Sequence, residues 1–190
     1  MNFALEIQNI ANRIVNPMQV IASKGCKPQQ EFLFDCSVLD EKYLTHDDIT
    51  KSPEYEERFD RLKKLTGPVV YVFEMDSISK TTPKEIVDSI QAYSLSENAR
   101  PVPAIKTNYP QTNILYVGKV KGKFYGRVIQ HLGFHRDKGT QGLQLCYWAK
   151  RLNLKLKITA MEFENDAKDL IPIFENCLAD KLKPILGKHK

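Results

Sequence analysis

Val69-Val70-Tyr71-Val72-Phe73-Glu74-Met75 is an apolar, β-branched run that stops at a polar stretch on one side and at Gly67-Pro68 on the other. Such a run reads as a buried strand. A second run, Ile114-Leu115-Tyr116-Val117-Gly118-Lys119, has the same character. A third, Leu154 to Phe163, alternates Leu154, Leu156, Ile158 and Ala160 with Lys155, Lys157 and Thr159. That period of two marks a half-exposed strand.

Helical signals lie between and after these runs. Thr82-Pro83-Lys84-Glu85 is a capping box with proline at the first helical position, followed by Ile86, Ile90 and Tyr93. Residues 94–113 hold Pro101, Pro103 and Pro110 and read as a long loop. Helices are expected at about Phe124–Leu132, Leu143–Leu152 and Ala167–Leu182, the last ended by Pro184. Strands with segregated helices predict an α+β domain: a small, three-stranded, mainly antiparallel sheet flanked by helices. The chain has neither the glycine pattern of a dinucleotide site nor a P-loop.

Residues 1–66 read as an N-terminal accessory region with a helical extension, and residues 67–190 as the main domain, with an insertion at about 77–113. Phe3, Ile7, Ile10, Ala11 and Ile14 recur at three- and four-residue steps, which predicts an amphipathic helix to about Val15 and a loop over 16–30. Glu31–Leu39 is a possible strand. Ser52-Pro53 is expected to open a helix, with Ser52 as its cap.

The 190 residues are 42% hydrophobic, enough for a real core, without an apolar run of membrane-spanning length. No signal peptide is evident at the N-terminus. A soluble, cytoplasmic protein with no membrane partner is the expectation. Cys26, Cys36, Cys146 and Cys177 form no C-x-x-C pair, so neither a zinc knuckle nor a disulfide framework is expected. The net charge of +5 is unevenly spread: residues 1–115 carry 13 basic and 16 acidic side chains, and residues 116–190 carry 15 and 7. A basic half is either a solvated lysine-rich surface or a footprint for a polyanion, whose binding releases counterions.

Tyr71 and Tyr116 read either as core aromatics or as hydroxyls facing one cleft, where they could orient or deprotonate a water. Lys119 follows the second strand directly and could contact phosphate. Arg127 and His131 are one helical turn apart and share a face. A guanidinium there could grip a phosphate and stabilise developing charge. His131 and His135 also have the spacing of a zinc pair, but no third ligand is evident. Glu175 lies at the edge of the apolar stripe Ile171, Phe174, Leu178 and Leu182, and a half-buried carboxylate requires a partner. Mg2+ is one, since it takes one or two carboxylates with waters and phosphate oxygens.

In this order the residues resemble the GIY-YIG nuclease family. Val69-Val70-Tyr71 is similar to its first half-motif and Tyr116-Val117-Gly118 to its second. Arg127 and His131 fall at the family's helix positions, and Phe174-Glu175 through Lys183-Pro184 at its metal-binding glutamate helix. The resemblance covers roughly residues 67–187 and implies a DNA endonuclease that hydrolyses phosphodiester bonds with one Mg2+ or Mn2+ on Glu175. Catalytic roles would fall to Tyr71, Tyr116, Arg127, His131 and Glu175, and phosphate contacts to Lys119 and Arg127. Two departures stand out: 45 positions separate the two tyrosines, and Gly187 occupies the place of an asparagine common in the family. The alternative is an inactive domain of this type that binds nucleic acid or a protein partner.

Overall fold

A computed structural model describes residues 2–45, 47–76 and 80–188. The helices are α1 (Phe3–Lys24), α2 (Lys42–Thr45), α3 (Glu56–Lys63), α4 (Pro83–Ser94), α5 (Phe124–Leu132), α6 (Leu145–Trp148) and α7 (Ile171–Leu182). The strands are β1 (Gln30–Asp35), β2 (Val69–Met75), β3 (Ile114–Val120) and β4 (Lys155–Glu162). They form one antiparallel sheet in the order β1-β4-β2-β3. The chain is α+β, as expected.

β2 lies between β3 and β4, and both of its faces are covered. Val69, Tyr71, Phe73 and Met75 enter the main core, while Val70 and Val72 face smaller clusters built with α7. Burial on both faces is why this strand reads as continuous apolar sequence rather than as alternation. β4 shows the alternation instead, with Leu156, Ile158 and Ala160 inside. β2 and β3 pair directly although the insertion lies between them. Closing a long loop costs little more than closing a short one. A bulge sets Phe73 opposite Tyr116 and Glu74 opposite Ile114, so Leu115 is the extra residue.

The expected three-stranded sheet is corrected to four strands. β1, read from the sequence as a strand over Glu31–Leu39 in the accessory region, pairs along β4 from Gln30↔Ala160 to Asp35↔Lys155. Without it β4 would present an open edge. Phe32 and Phe34 of β1, with Tyr55, Phe59 and Leu62, join the same core as Tyr71 and Phe73. Residues 30–65 therefore pack into the sheet domain and build no core of their own.

Four helix boundaries also differ, one of them that of α7, which starts at Ile171 rather than near Ala167, after a 3-10 turn over Asn165–Ala167. α1 does not stop near Val15: it continues through Pro17 to Lys24 and is capped by Gly25, whose φ is 73°. An internal proline costs about 3 kcal/mol. Pro17 is the buried residue of α1, and the helix rests there on the Asn165–Ala167 turn, which offsets that loss. Ser52 does not cap a helix, because its hydroxyl is bound to Tyr43 (2.6 Å), and α3 starts only at Glu56. The helix expected over 143–152 is broken into α6 and a 3-10 turn, with Gln144 left-handed at φ 57°. The capping box at Thr82 is formed as read. The first residues of the expected insertion, 77–79, lie outside the described residues. No helix among the described residues is long and apolar enough to cross a membrane.

Candidate active site

Tyr71 stands at the centre of β2, directly opposite Gly118 of β3. Its ring lies across that glycine: a Cβ at Gly118 would sit 2.6 Å from both the Tyr71 hydroxyl oxygen and the Tyr116 ring. A glycine inside a strand commonly marks such a close approach. Tyr116, diagonal to Tyr71, has its ring centroid 6.3 Å away. Both tyrosines are buried, at 0% and 9% exposure.

α5 brings the next two groups. Phe124, Val128 and Leu132 anchor it in the core, and the same side carries His131 inward. His131 is fully buried, with ring centroids 5.5 Å from Tyr71 and 5.3 Å from Tyr116. The Leu143 backbone N–H donates to His131 Nδ1 at 3.2 Å. That assigns the hydrogen to Nε2, which donates to the Tyr71 hydroxyl oxygen at 2.9 Å. Burial, followed by the nearby Arg127 charge, holds the imidazole neutral, well below its ordinary pKa.

Arg127 is half-buried, and its Nε–H donates to the same Tyr71 oxygen at 3.1 Å. Its other donors reach Gln130 Oε1 at 2.7 Å and the Gln141 carbonyl at 2.8 Å. Two fixed donors thus converge on the Tyr71 oxygen, leaving its own proton to point elsewhere. Burial pushes the Tyr71 phenol up, and Arg127 pulls against it. Burial also raises Tyr116. Both are phenols, not phenolates, at neutral pH. Of this cluster, the half-buried Arg127 guanidinium is the charged group that solvent reaches, while the Tyr71 hydroxyl is closed off behind it.

Glu175 comes from α7 on the other face of the sheet and is 5% exposed. It forms an ion pair with Lys119 of β3. A divalent cation was the expected partner for this carboxylate; the partner the structure shows is the Lys119 ammonium. Glu175 is also among the charges that raise both phenols, after burial. Among the described residues no three or more His, Cys, Asp or Glu side chains are grouped so that they could hold a metal ion. A cation there would rest on Glu175 alone with waters and phosphate oxygens, the minimal set that Mg2+ accepts.

The fold therefore gathers Tyr71, Tyr116, Arg127 and His131 in one hydrogen-bonded cluster, with the Lys119–Glu175 pair behind it. His135 lies apart, its Nδ1 taking the Asp137 N–H at 3.2 Å. Gly187 has φ 116° and donates its N–H to the Ala104 carbonyl at 2.8 Å. Sequence reasoning missed the supports from residues 141–143. The Gln141 carbonyl and Leu143 N–H are backbone groups at and just before the start of the helix expected over 143–152, and side-chain patterns say nothing of where such groups point. Gln130 carried a weak signal, three residues after Arg127 on the same helix. Compared with known proteins, the chain matches no family model, no curated protein and no solved structure.

Proposed function

We propose that this chain is a metal-dependent endonuclease of the GIY-YIG type, hydrolysing phosphodiester bonds in DNA. The observation that carries the reading is the Tyr71 hydroxyl, which accepts from both Arg127 and His131 beside a second tyrosine. Tyr71 positions the attacking water, whose proton passes to solvent as its oxygen bonds phosphorus and the bond to the leaving sugar oxygen breaks, and Tyr116 completes the wall. His131, neutral and locked in one tautomer, positions Tyr71 and takes no proton itself. Arg127 supplies charge to the phosphorane-like transition state, a contact worth on the order of 3 kcal/mol, or about 100-fold in rate. Lys119 swings from Glu175 to a phosphate oxygen, freeing the carboxylate. A bound Mg2+ or Mn2+ on Glu175 would neutralise the scissile phosphate and the leaving oxygen. The basic 116–190 segment suits a polyanionic substrate.

The test is plasmid cleavage with Mn2+ by wild type, Glu175→Ala and Arg127→Ala. Supercoiled DNA nicked by wild type and spared by both variants supports the assignment. Equal activity in all three sinks it.

One observation favours a second reading, a domain that binds nucleic acid without cutting. Glu175 is already neutralised by Lys119. Salt-dependent DNA binding with no cleavage under any divalent metal selects this reading.

A further inference from the structure

The first four turns of α1 lie outside the site and are unexplained by it. Phe3, Ile7, Ile10, Ile14, Pro17 and Ile21 follow one another at steps of four, three, four, three and four. That is the a/d spacing of a coiled-coil seam. The seam divides into two parts. Pro17 is buried and Ile21 packs against the Val70 cluster of the same chain. Phe3, Ile7, Ile10 and Ile14 are 72%, 65%, 43% and 43% exposed. Helices are held in place by packing of an apolar face more than by propensity, so this half requires a cover.

We propose that the cover is α1 of a second copy of this chain, paired antiparallel about a two-fold axis beside residues 8 and 9. The charges carry the orientation. With Ile7 at an a position, Glu6 and Arg13 are both g positions, and Ala4 and Ala11 are e positions. In an antiparallel pair the g positions face each other, so Glu6 meets Arg13 of the second copy, twice by symmetry. In a parallel pair g faces e, and Glu6 and Arg13 would face Ala11 and Met18, without charge complementarity. The antiparallel layers are Ile7 on Ile10 and Phe3 on Ile14, and alanines on the other flank leave room for close approach.

The folded body reaches back along α1 as far as Ile10, where Asp166, Asp169 and Leu170 line a groove with Ile10, Arg13 and Ile14. The Phe3 of one copy then reaches the groove that Ile10, Ile14, Pro17 and Leu170 line on the other. A two-fold pair closes on itself and does not grow into a filament. Two heptads a side make a small interface, so the dimer forms at about micromolar concentration or above. This inference does not depend on the hydrolytic reading.

Sedimentation equilibrium of the full chain from about 1 to 200 µM spans the range for an interface of this size. The mass is expected to rise from 21.8 kDa towards twice that. Ile7→Asp with Ile10→Asp is expected to stay monomeric, with an unchanged circular dichroism spectrum because both side chains are exposed in the monomer. Glu6→Arg alone is expected to weaken the dimer about tenfold by facing two like charges. Adding Arg13→Glu is expected to restore it. A monomer at every concentration, a dimer that survives the aspartates, or indifference to both charge changes overturns the proposal. So does binding of the monomer to anionic phosphatidylserine vesicles with no mass increase in solution.

Discussion

Gly118 faces Tyr71 across the β2–β3 ladder, and a Cβ on it would lie 2.6 Å from the Tyr71 hydroxyl oxygen. Real Cβ atoms do not approach that closely, so Gly118→Ala must push the ring away from Arg127 and His131. Overpacking a full core costs roughly 1–3 kcal/mol. We expect urea denaturation to show a loss in that range, together with loss of DNA cleavage. A stable, active alanine variant contradicts the role given to Gly118.

Tyr71→Phe keeps nearly all the volume and removes one oxygen. It leaves the buried His131 Nε2–H and the Arg127 Nε–H without their acceptor. Leaving buried donors unpaired costs about 1–3 kcal/mol. The expected result is a destabilised protein whose cleavage falls more steeply than its stability. A variant as stable as wild type would show that these two donors find other partners.

His131 is buried and neutral, its pKa held far below the ordinary 6.5. Below that pH the unfolded chain binds a proton that the folded chain refuses. The stabilising contribution is therefore complete above about pH 6.5 and is lost as the pH falls, by roughly 1.4 kcal/mol per unit. Denaturation midpoints between pH 7.5 and 5 are expected to fall less steeply in His131→Asn than in wild type. Equal slopes would mean that His131 titrates normally in the folded state.

Lys119→Met removes the ammonium from the buried Glu175 carboxylate. Breaking a buried pair on one side is destabilising. The half-open position of the lysine lessens the loss to about 1–2 kcal/mol by screening. A cation that binds Glu175 then no longer competes with the lysine. Mn2+ is expected to raise the melting temperature of Lys119→Met more than that of wild type. An equal or smaller rise separates the metal from Glu175.

Much of this was legible in the chain because it rested on local chemistry. β2, β3 and α5 lie where their apolar runs put them, and the Thr82 capping box is formed as read. The spacing of Arg127 and His131 put them on one helix face, but that this face turns inward depends on how Phe124, Val128 and Leu132 anchor α5. What was hidden depends on long-range partners. β1 was readable as a strand, yet nothing local says that Gln30 pairs with Ala160. Pro17 argued for a helix end, and only its burial against the 165–167 turn reverses that. Glu175 was readable as a carboxylate in need of a partner, but the identity of that partner, Lys119, depended on how α7 crosses β3.

The most direct test is anomalous diffraction from a crystal of the chain soaked in Mn2+ with a short DNA duplex. The account predicts one peak at bonding distance from Glu175, about 2.1 Å as for Mg2+. Lys119 should have turned to a phosphate, and the Tyr71 and Tyr116 hydroxyls should face the same phosphodiester. An intact Lys119–Glu175 pair with no metal beside it and DNA bound against Arg127 would contradict it.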